Sequence, residues 1–123
     1  MLTAPIPLKS PKPEIDYEAF AAVDIRVGTI TRVEDVPQSD KLVRLIVNFG
    51  DETRRILTGI KKERANPQEL AGRQALFVVN LKPRKMAGEV SEGMLLDLGY
   101  ADGLVPAPLA VPESPVPDGT RAG

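Results

Sequence analysis

The sequence predicts an all-β domain, and three observations support that class. Apolar and polar residues alternate with a period of two through most of the central part of the chain, as in strands with one buried face. Glycines, namely Gly50, Gly59, Gly72, Gly88 and Gly93, separate these runs at short intervals. Helix-type starts occur only near residues 16–23 and 66–72, and the length of 123 residues suits one domain.

The first predicted strand covers residues 24–35, and its apolar phase slips between Val27 and Ile30. Gly28 lies at that slip, so we expect the strand to bulge or bend sharply there. A short helical turn should precede this strand, with Asp16 as its N-cap residue.

The second and third strands are predicted to form a hairpin. The second strand has the clearest alternation, with apolar residues at every other position from 43 to 49. A turn at residues 50–52 leads directly into a third strand at residues 53–58. Arg54 and Arg55 are neighbours in this third strand, so their side chains must face opposite sides of the sheet.

A short helix is predicted after the hairpin. Asn66 suits its N-cap, Pro67 its first helical position and Glu69 the capping-box position. Gly72 then ends the helix within about one further turn.

Two more strands follow, at residues 74–81 and 94–100. The order is therefore three strands, a short helix and two strands. This order predicts a five-stranded OB-fold barrel with its short helix between strands three and four, followed by a C-terminal extension. Phe49 and Phe77 fall at core positions of this barrel.

Prolines mark both ends of the chain. Residues 1–15 are expected to form a flexible, proline-rich arm or linker, residues 16–100 the OB-fold domain, and residues 101–123 the C-terminal extension. The extension is expected to pack on the barrel or at a dimer interface, because it carries four large apolar residues, namely Leu104, Val105, Leu109 and Val111.

Cysteine and histidine do not occur in the sequence. This excludes disulfides, thiol catalysis, Cys- or His-based zinc sites and histidine acid–base chemistry, so we expect neither an enzyme nor a cofactor. No stretch approaches the roughly 18 to 20 unbroken apolar residues of a membrane span, so no membrane partner is expected. Residues 1–13 lack the apolar core of a signal peptide, which predicts a cytoplasmic location.

The net charge of −1 conceals a strong asymmetry. Residues 53–85 contain nine basic and two acidic residues, a local charge of +7, whereas the rest of the chain carries −8. Such segregation favours one face for a polyanion, although the same side chains could also scatter over the surface after folding.

Several motifs together resemble the tRNA-binding OB-fold domain family. In chain order they are Asp24-Ile25-Arg26-Val27-Gly28, Ser39-Asp40-Lys41-Leu42, Thr58-Gly59-Ile60, Asn80-Leu81-Lys82-Pro83-Arg84-Lys85-Met86, Ser91-Glu92-Gly93-Met94 and Pro115-Val116-Pro117-Asp118-Gly119-Thr120. The motifs are most similar to the C-terminal domain, or separate beta subunit, of methionyl-tRNA synthetase. A secretion-chaperone branch is a near relative.

The resemblance implies the residues of a nucleic-acid surface. Carried over by position, the tRNA-binding residues are Lys41, Asn80, Lys82, Arg84, Lys85, Met86, Ser91 and Met94. This chain departs from many members of the family, because Ala87 and not a basic residue follows the methionine, and Glu89 comes soon after.

The residue types suit this chemistry without the resemblance. Lys82, Arg84 and Lys85 can neutralise phosphates, and an arginine can also stack on a base. The chain has only five aromatic residues, which favours recognition of the shape of a folded RNA over stacking of a single strand. Other roles stay open: Met86 and Met94 could pack at the rim of the core, and Ser91 could shape a turn.

The resemblance therefore implies a non-catalytic tRNA-binding module, in cis or in trans to an aminoacyl-tRNA synthetase. The similarity of the residues favours a methionyl-tRNA synthetase catalytic chain as this partner. It also implies a homodimer. The alternative is a peptide-binding export chaperone of the same fold, which should expose an apolar groove.

Overall fold

The computed structural model describes residues 10–123. Its regular elements are the helix α1 (Tyr17–Ala21), the strands β1 (Ile25–Asp35), β2 (Val43–Asn48), β3 (Thr53–Thr58), β4 (Gln74–Val78), β5 (Arg84–Met86), β6 (Glu89–Ser91), β7 (Met94–Leu95) and β8 (Arg121–Ala122), and two 3-10 turns at Pro67–Leu70 and Tyr100–Asp102.

The main sheet has the strand order β3-β2-β1-β4-β7, and β8 pairs with β1 outside this path. All of these pairings are antiparallel. The long strand β1 belongs to both halves of the sheet: it pairs with β4 from Ile25 to Thr29 and with β2 from Thr29 to Asp35. The sheet curls around one apolar core, and the predicted OB-fold barrel is confirmed.

The bulge in β1 lies three residues beyond the predicted position. Gly28 is regularly paired with Ala75, and the register with β2 shifts instead between Ile30 and Arg32. At Gly28 the requirement is space, because a Cβ atom there would lie 2.6 Å from Cγ1 of Val47. The phase slip in the sequence therefore marks a position where the side chains of Val47 and Phe49, from the neighbouring strand β2 and the residue after it, pack over the backbone of β1.

The barrel interior is filled by apolar residues from every strand of the main path. Phe49 and Phe77 meet edge to face at its centre, with ring centroids 5.4 Å apart. Both rings are buried, as the alternation predicts. The other members of this cluster are Ile30, Val33, Val43, Leu45, Val47, Ile56, Ile60, Leu70, Ala75, Leu95 and Leu109.

The barrel closes between β3 and the chain that precedes β7. The backbone N–H of Glu92 donates to the carbonyl of Arg55 at 2.9 Å. The side chain of Arg54 lies on the opposite face of β3 from that of Arg55, as predicted. Its guanidinium donates to the carbonyls of Val79 at 2.5 Å and Glu92 at 3.2 Å. The Arg54 guanidinium thus joins β3 both to the chain that follows β4 and to the chain that precedes β7.

The helix between strands three and four is a single 3-10 turn, Pro67–Leu70. Asn66 caps it as predicted, because its side chain accepts a hydrogen bond from the backbone N–H of Gln68 at 3.2 Å. Glu69 does not complete a capping box; its carboxylate contacts Arg64 at 3.3 Å. Leu70, the last residue of this turn, is fully buried in the main apolar core.

The last predicted strand is much shorter in the structure. The pattern predicts residues 94–100, but β7 ends at Leu95. Beyond it the chain pairs with the C-terminal segment, since the N–H of Leu98 donates to the carbonyl of Pro108 at 2.7 Å. Ala107 and Leu109 of that segment are buried against the barrel. Within residues 10–123, no helix is long and apolar enough to cross a membrane.

The close approach at Gly28 predicts the effect of a single methyl group. Gly28→Ala should lower the free energy of unfolding by about 1–3 kcal/mol, because the methyl group overpacks the barrel wall. Gly59→Ala is the matched control, since a Cβ atom there meets nothing within 4 Å. Urea denaturation of both variants measures the difference, and equal losses would contradict the packing argument.

Candidate nucleic-acid interface

The predicted binding segment forms a small β-hairpin. β5 and β6 make a separate two-stranded sheet, with Lys85 opposite Val90 and Met86 opposite Glu89. The residues between the strands, Ala87 and Gly88, have positive φ angles of 51° and 80°, as in a type I′ turn. The motif Asn80–Met86, which the family resemblance implies to be a loop, ends in a strand, because Arg84–Met86 is β5.

The β5–β6 hairpin presents basic groups on both of its faces. Residues directly opposite each other in a ladder share a face, and successive residues alternate between faces. Arg84 and Met86 therefore project to one side, and Lys85 projects to the other with Val90. Arg84, Lys85 and the preceding Lys82 are all exposed.

A second apolar cluster docks the hairpin on the barrel. It consists of Val36, Leu42 and Leu57, with Met86 packed against them. Leu42 and Met86 each directly follow a lysine, and both of these lysines, Lys41 and Lys85, are exposed. The cluster therefore brings the loop of residues 36–42 and the hairpin to the same end of the barrel.

The loop of residues 36–42 is held in place by Lys61. Its ammonium group donates to the carbonyls of Val36 at 2.8 Å and Ser39 at 2.6 Å, and it contacts the Asp35 carboxylate at 2.6 Å. The Ser39 hydroxyl accepts the N–H of Lys41 at 3.2 Å. These contacts fix the backbone that carries Lys41 while its side chain stays exposed.

An arginine on the outer face of β2 joins the hairpin to β1. Arg44 Nε donates to Glu89 Oε1 at 2.7 Å, and Arg44 Nη2 pairs with Glu89 Oε2. Arg44 Nη1 also donates to Glu34 Oε1 at 3.1 Å. We refer to Arg44, Glu34 and Glu89 as the Arg44 clamp.

The clamp shifts the ionisation of its members. Hydrogen bonding to Arg44 holds the pKa of Glu89 below its ordinary value of 4.5, and the positive charge of Arg55 acts in the same direction. The two carboxylates raise the pKa of Arg44. Glu89 therefore reduces the positive charge of the hairpin less than the sequence suggests, because a guanidinium is bound to it.

Ser91 is buried, with 4% of its surface exposed. Its hydroxyl accepts the N–H of Leu57 at 3.0 Å and donates to the carbonyl of Gly93 at 3.0 Å. These two bonds fix the base of the hairpin to β3. A contact of Ser91 with RNA stays a prediction, and the structure gives the side chain a structural role.

Asn80 also bonds to the backbone. Its side-chain oxygen accepts the N–H of Asp24 at 2.8 Å, and its amide nitrogen donates to the carbonyl of Ala22 at 2.6 Å. These bonds position the link between α1 and β1. Met94 is 44% exposed and pairs with Val78 in the main sheet.

The structure thus separates the predicted site residues into groups. Met86 packs on the second apolar cluster, and Arg84 and Lys85 precede it in β5 while Lys41 precedes the cluster member Leu42. Ser91 lies opposite Arg84 in the hairpin, and Lys82 is exposed in the segment that leads to β5. Asn80 and Met94 are positioned by β4 instead. Among the nine basic residues of 53–85, three are turned to internal contacts, namely Arg54, Lys61 and Arg64, and the other six are exposed.

The residues that hold the interface in place were not identifiable from the sequence. Arg44 and Glu89 are 45 positions apart, and Lys61 reaches a loop more than 20 positions earlier. No local pattern links such residues. Among residues 10–123, no group of three acidic side chains is arranged to hold a metal ion.

Comparison with known proteins identifies the family. The model of the putative tRNA binding domain matches residues 25–121. The chain belongs to this tRNA-binding domain family. It is 46% identical over 114 residues to a methionine–tRNA ligase of Methanospirillum hungatei, an alignment that covers 92% of this chain and 16% of that enzyme.

Solved structures share the fold of this tRNA-binding domain. A MetRS-related protein from Pyrococcus horikoshii superposes with a TM-score of 0.78 at 35% identity, covering 91% of this chain and 100% of that one. The chaperone CsaA from Bacillus anthracis superposes with a TM-score of 0.75 at 32% identity, covering 90% and 100%. The chain spans about one sixth of the length of the methionine–tRNA ligase that it matches.

The buried hydroxyl of Ser91 predicts a loss of stability on its removal. Ser91→Ala leaves the buried N–H of Leu57 without its acceptor, which should lower the free energy of unfolding by about 1–3 kcal/mol. Ser114→Ala, at an exposed position, is the control and should change little. If Ser91→Ala kept full stability in thermal denaturation and lost only RNA affinity, a direct RNA contact would be indicated.

Proposed function

We propose that this tRNA-binding domain is a non-catalytic module that holds the structural part of tRNA through the β5–β6 hairpin and the loop of residues 36–42. The observation that carries the proposal is the second apolar cluster, which holds Lys41 and the basic hairpin at one end of the barrel. Phosphate neutralisation by these side chains is independent of base sequence and suits the part of the molecule that all tRNAs share.

The shape of the hairpin supports recognition of a folded RNA. Arg84 and Lys85 project from opposite faces of a narrow two-stranded ribbon. The face of Arg84 also carries Met86, which packs on the barrel, so the free face of the ribbon is that of Lys85 and Val90. Arg84 remains exposed at the end of the docked face, so the two charges point in different directions and suit phosphates at different positions on a folded RNA.

The proposed partner is a synthetase catalytic chain, with methionyl-tRNA synthetase favoured by the similarity to the methionine–tRNA ligase. Linkage in cis, or association in trans, would turn two weak contacts with one tRNA into a stronger combined one through effective concentration. The module would then increase affinity without taking part in the chemistry.

A peptide-binding export chaperone is the alternative function. It is supported by the similarity to the chaperone CsaA and by exposed apolar side chains around α1, Tyr17, Phe20 and Val23. RNA is favoured because the hairpin and the loop of residues 36–42 expose Lys41, Arg84 and Lys85, whereas α1 carries no basic side chain.

Binding of tRNA tests the proposal directly. Fluorescence anisotropy with bulk folded tRNA, at roughly 50 to 200 mM salt, should show saturable binding that weakens steeply as salt rises. Arg84→Ala/Lys85→Ala should weaken binding and reduce the salt slope by about two, one unit for each lost phosphate contact.

The control for that experiment removes the same charge elsewhere. Arg73→Ala/Arg121→Ala changes two exposed basic residues outside the hairpin. Equal losses in both double variants would contradict a localised site. Lack of tRNA binding even at low salt, together with saturable binding of unfolded peptides, would favour the chaperone.

We also propose that the chain forms a homodimer through α1. This helix has only five residues and no buried side chain, and so short a helix has little stability of its own. Tyr17 is 78% and Phe20 45% exposed. They line a cleft of about 830 Å³ that the C-terminal residues Arg121 and Gly123 also border.

The C-terminal segment offers fewer apolar side chains to an interface than its composition suggests. Leu109 is buried in the barrel of its own chain, whereas Val105 and Val111 are exposed. A dimer through α1 would instead cover the apolar side of the helix and place two basic hairpins in one particle.

Sedimentation equilibrium tests the dimer. The wild-type chain should sediment at twice the monomer mass, and Tyr17→Ser/Phe20→Ser should sediment as a monomer because the apolar contact is lost. Tyr100→Ser changes an aromatic residue that is 64% exposed and lies in the second 3-10 turn, and this variant should remain dimeric. A monomeric wild-type chain at high concentration would contradict the proposal.

A further inference from the structure

We propose that Glu89, through Arg44, positions the β5–β6 hairpin for RNA, so that this acidic residue strengthens the binding of a polyanion. The inference rests on the proposed function of the hairpin. It assigns a role in binding to a residue whose charge, by itself, opposes binding.

The attachment of the hairpin makes such a role necessary. β5 and β6 pair with each other and form a sheet separate from the barrel strands. The base of the hairpin is anchored at Ser91, whose hydroxyl bonds to β3. Near the turn, Met86 packs on the second apolar cluster and its cross-strand partner Glu89 binds Arg44.

The two contacts near the turn, the packing of Met86 and the Arg44–Glu89 pair, constrain the orientation of the hairpin to different degrees. Met86 is half-buried and flexible, and apolar contact sets no direction for the ribbon. The Arg44–Glu89 pair is bidentate, with two N–H groups of one guanidinium directed at two oxygens of one carboxylate. A bidentate pair fixes orientation as well as distance, and therefore the direction in which Lys85 and Arg84 project.

Arg44 is itself held firmly enough to act as a support. It lies directly opposite Glu34 in the β1–β2 ladder, and its third contact is with that carboxylate at 3.1 Å. Glu34 is in turn paired with Arg32 at 3.3 Å. The clamp itself carries one positive and two negative charges, and Arg32 brings the set of four groups to zero net charge, so this set does not itself attract phosphate.

Simple electrostatics and the positioning role predict opposite results for one substitution. Removal of a carboxylate close to a polyanion site should strengthen binding, because a repulsion is lost. If Glu89 positions the hairpin, its removal should weaken binding, because the basic side chains lose their common orientation. The sign of the change therefore decides between the two.

The experiment compares tRNA affinity for wild-type protein and Glu89→Gln by anisotropy over the same salt range. Glu89→Gln should bind about five- to tenfold more weakly, the size expected for loss of a charge-assisted pair in a partly exposed place. Asp40→Asn is the matched control: it neutralises an exposed carboxylate beside Lys41 and should bind equally or more tightly.

A second variant and a second measurement distinguish a change in the orientation of the hairpin from a general loss of folding. Arg44→Lys keeps the charge but cannot bind two oxygens at once, and its affinity should fall between those of the wild type and Glu89→Gln. Hydrogen exchange of residues 84–91 should increase in Glu89→Gln, while exchange in β1 and β2 stays as in the wild type.

The outcomes separate the two proposals. If wild-type protein fails to bind tRNA, the proposed function is overturned, and hydrogen exchange still reports whether Glu89 holds the hairpin. If wild-type protein binds and Glu89→Gln binds as tightly or more tightly, the positioning role is overturned and the proposed function stands.

Discussion

The structure depends on the double pairing of β1. This strand hydrogen-bonds to β4 along its first half and to β2 along its second half, so that one continuous strand joins both halves of the sheet. The exchange of partners occurs beside Gly28, where the side chains of Val47 and Phe49 leave no room for a further side chain. Curling of the sheet there encloses the core and brings β3 within reach of the chain before β7.

Closure of the barrel also creates the outer surface on which the basic hairpin rests. Leu57 and Arg44 lie opposite each other in the β2–β3 ladder and face outwards, away from the main core. Leu57 contributes to the second apolar cluster and Arg44 to the ion pairs around it. A barrel built mainly for its own packing therefore supplies both kinds of support, apolar and ionic, for a segment that belongs to neither half of the sheet.

Local patterns in the sequence were sufficient for the barrel and insufficient for the hairpin. Alternation predicted β2 and β3, and the Asn66-Pro67 pair predicted the single turn before β4. The hairpin gave no such signal, because its strands have three residues each and its turn has Ala-Gly where Asn-Gly is typical. The roles of Ser91 and Asn80 depend on backbone groups more than 30 positions away, which no local pattern reveals. The resemblance to a family located the surface but did not distinguish exposed groups from supporting ones.

The backbone of Ala87 has a consequence for how the hairpin can be used. A residue with a Cβ atom at a φ of 51° is in the left-handed region, which costs roughly 1–2 kcal/mol relative to the right-handed one. Three-residue strands offer few hydrogen bonds to offset that cost. As an excised peptide, the segment would be a disordered basic chain, and as a graft it would need an acceptor surface with an apolar cleft and a well-placed arginine. The recognition element is therefore a property of the whole barrel and cannot be treated as a portable motif.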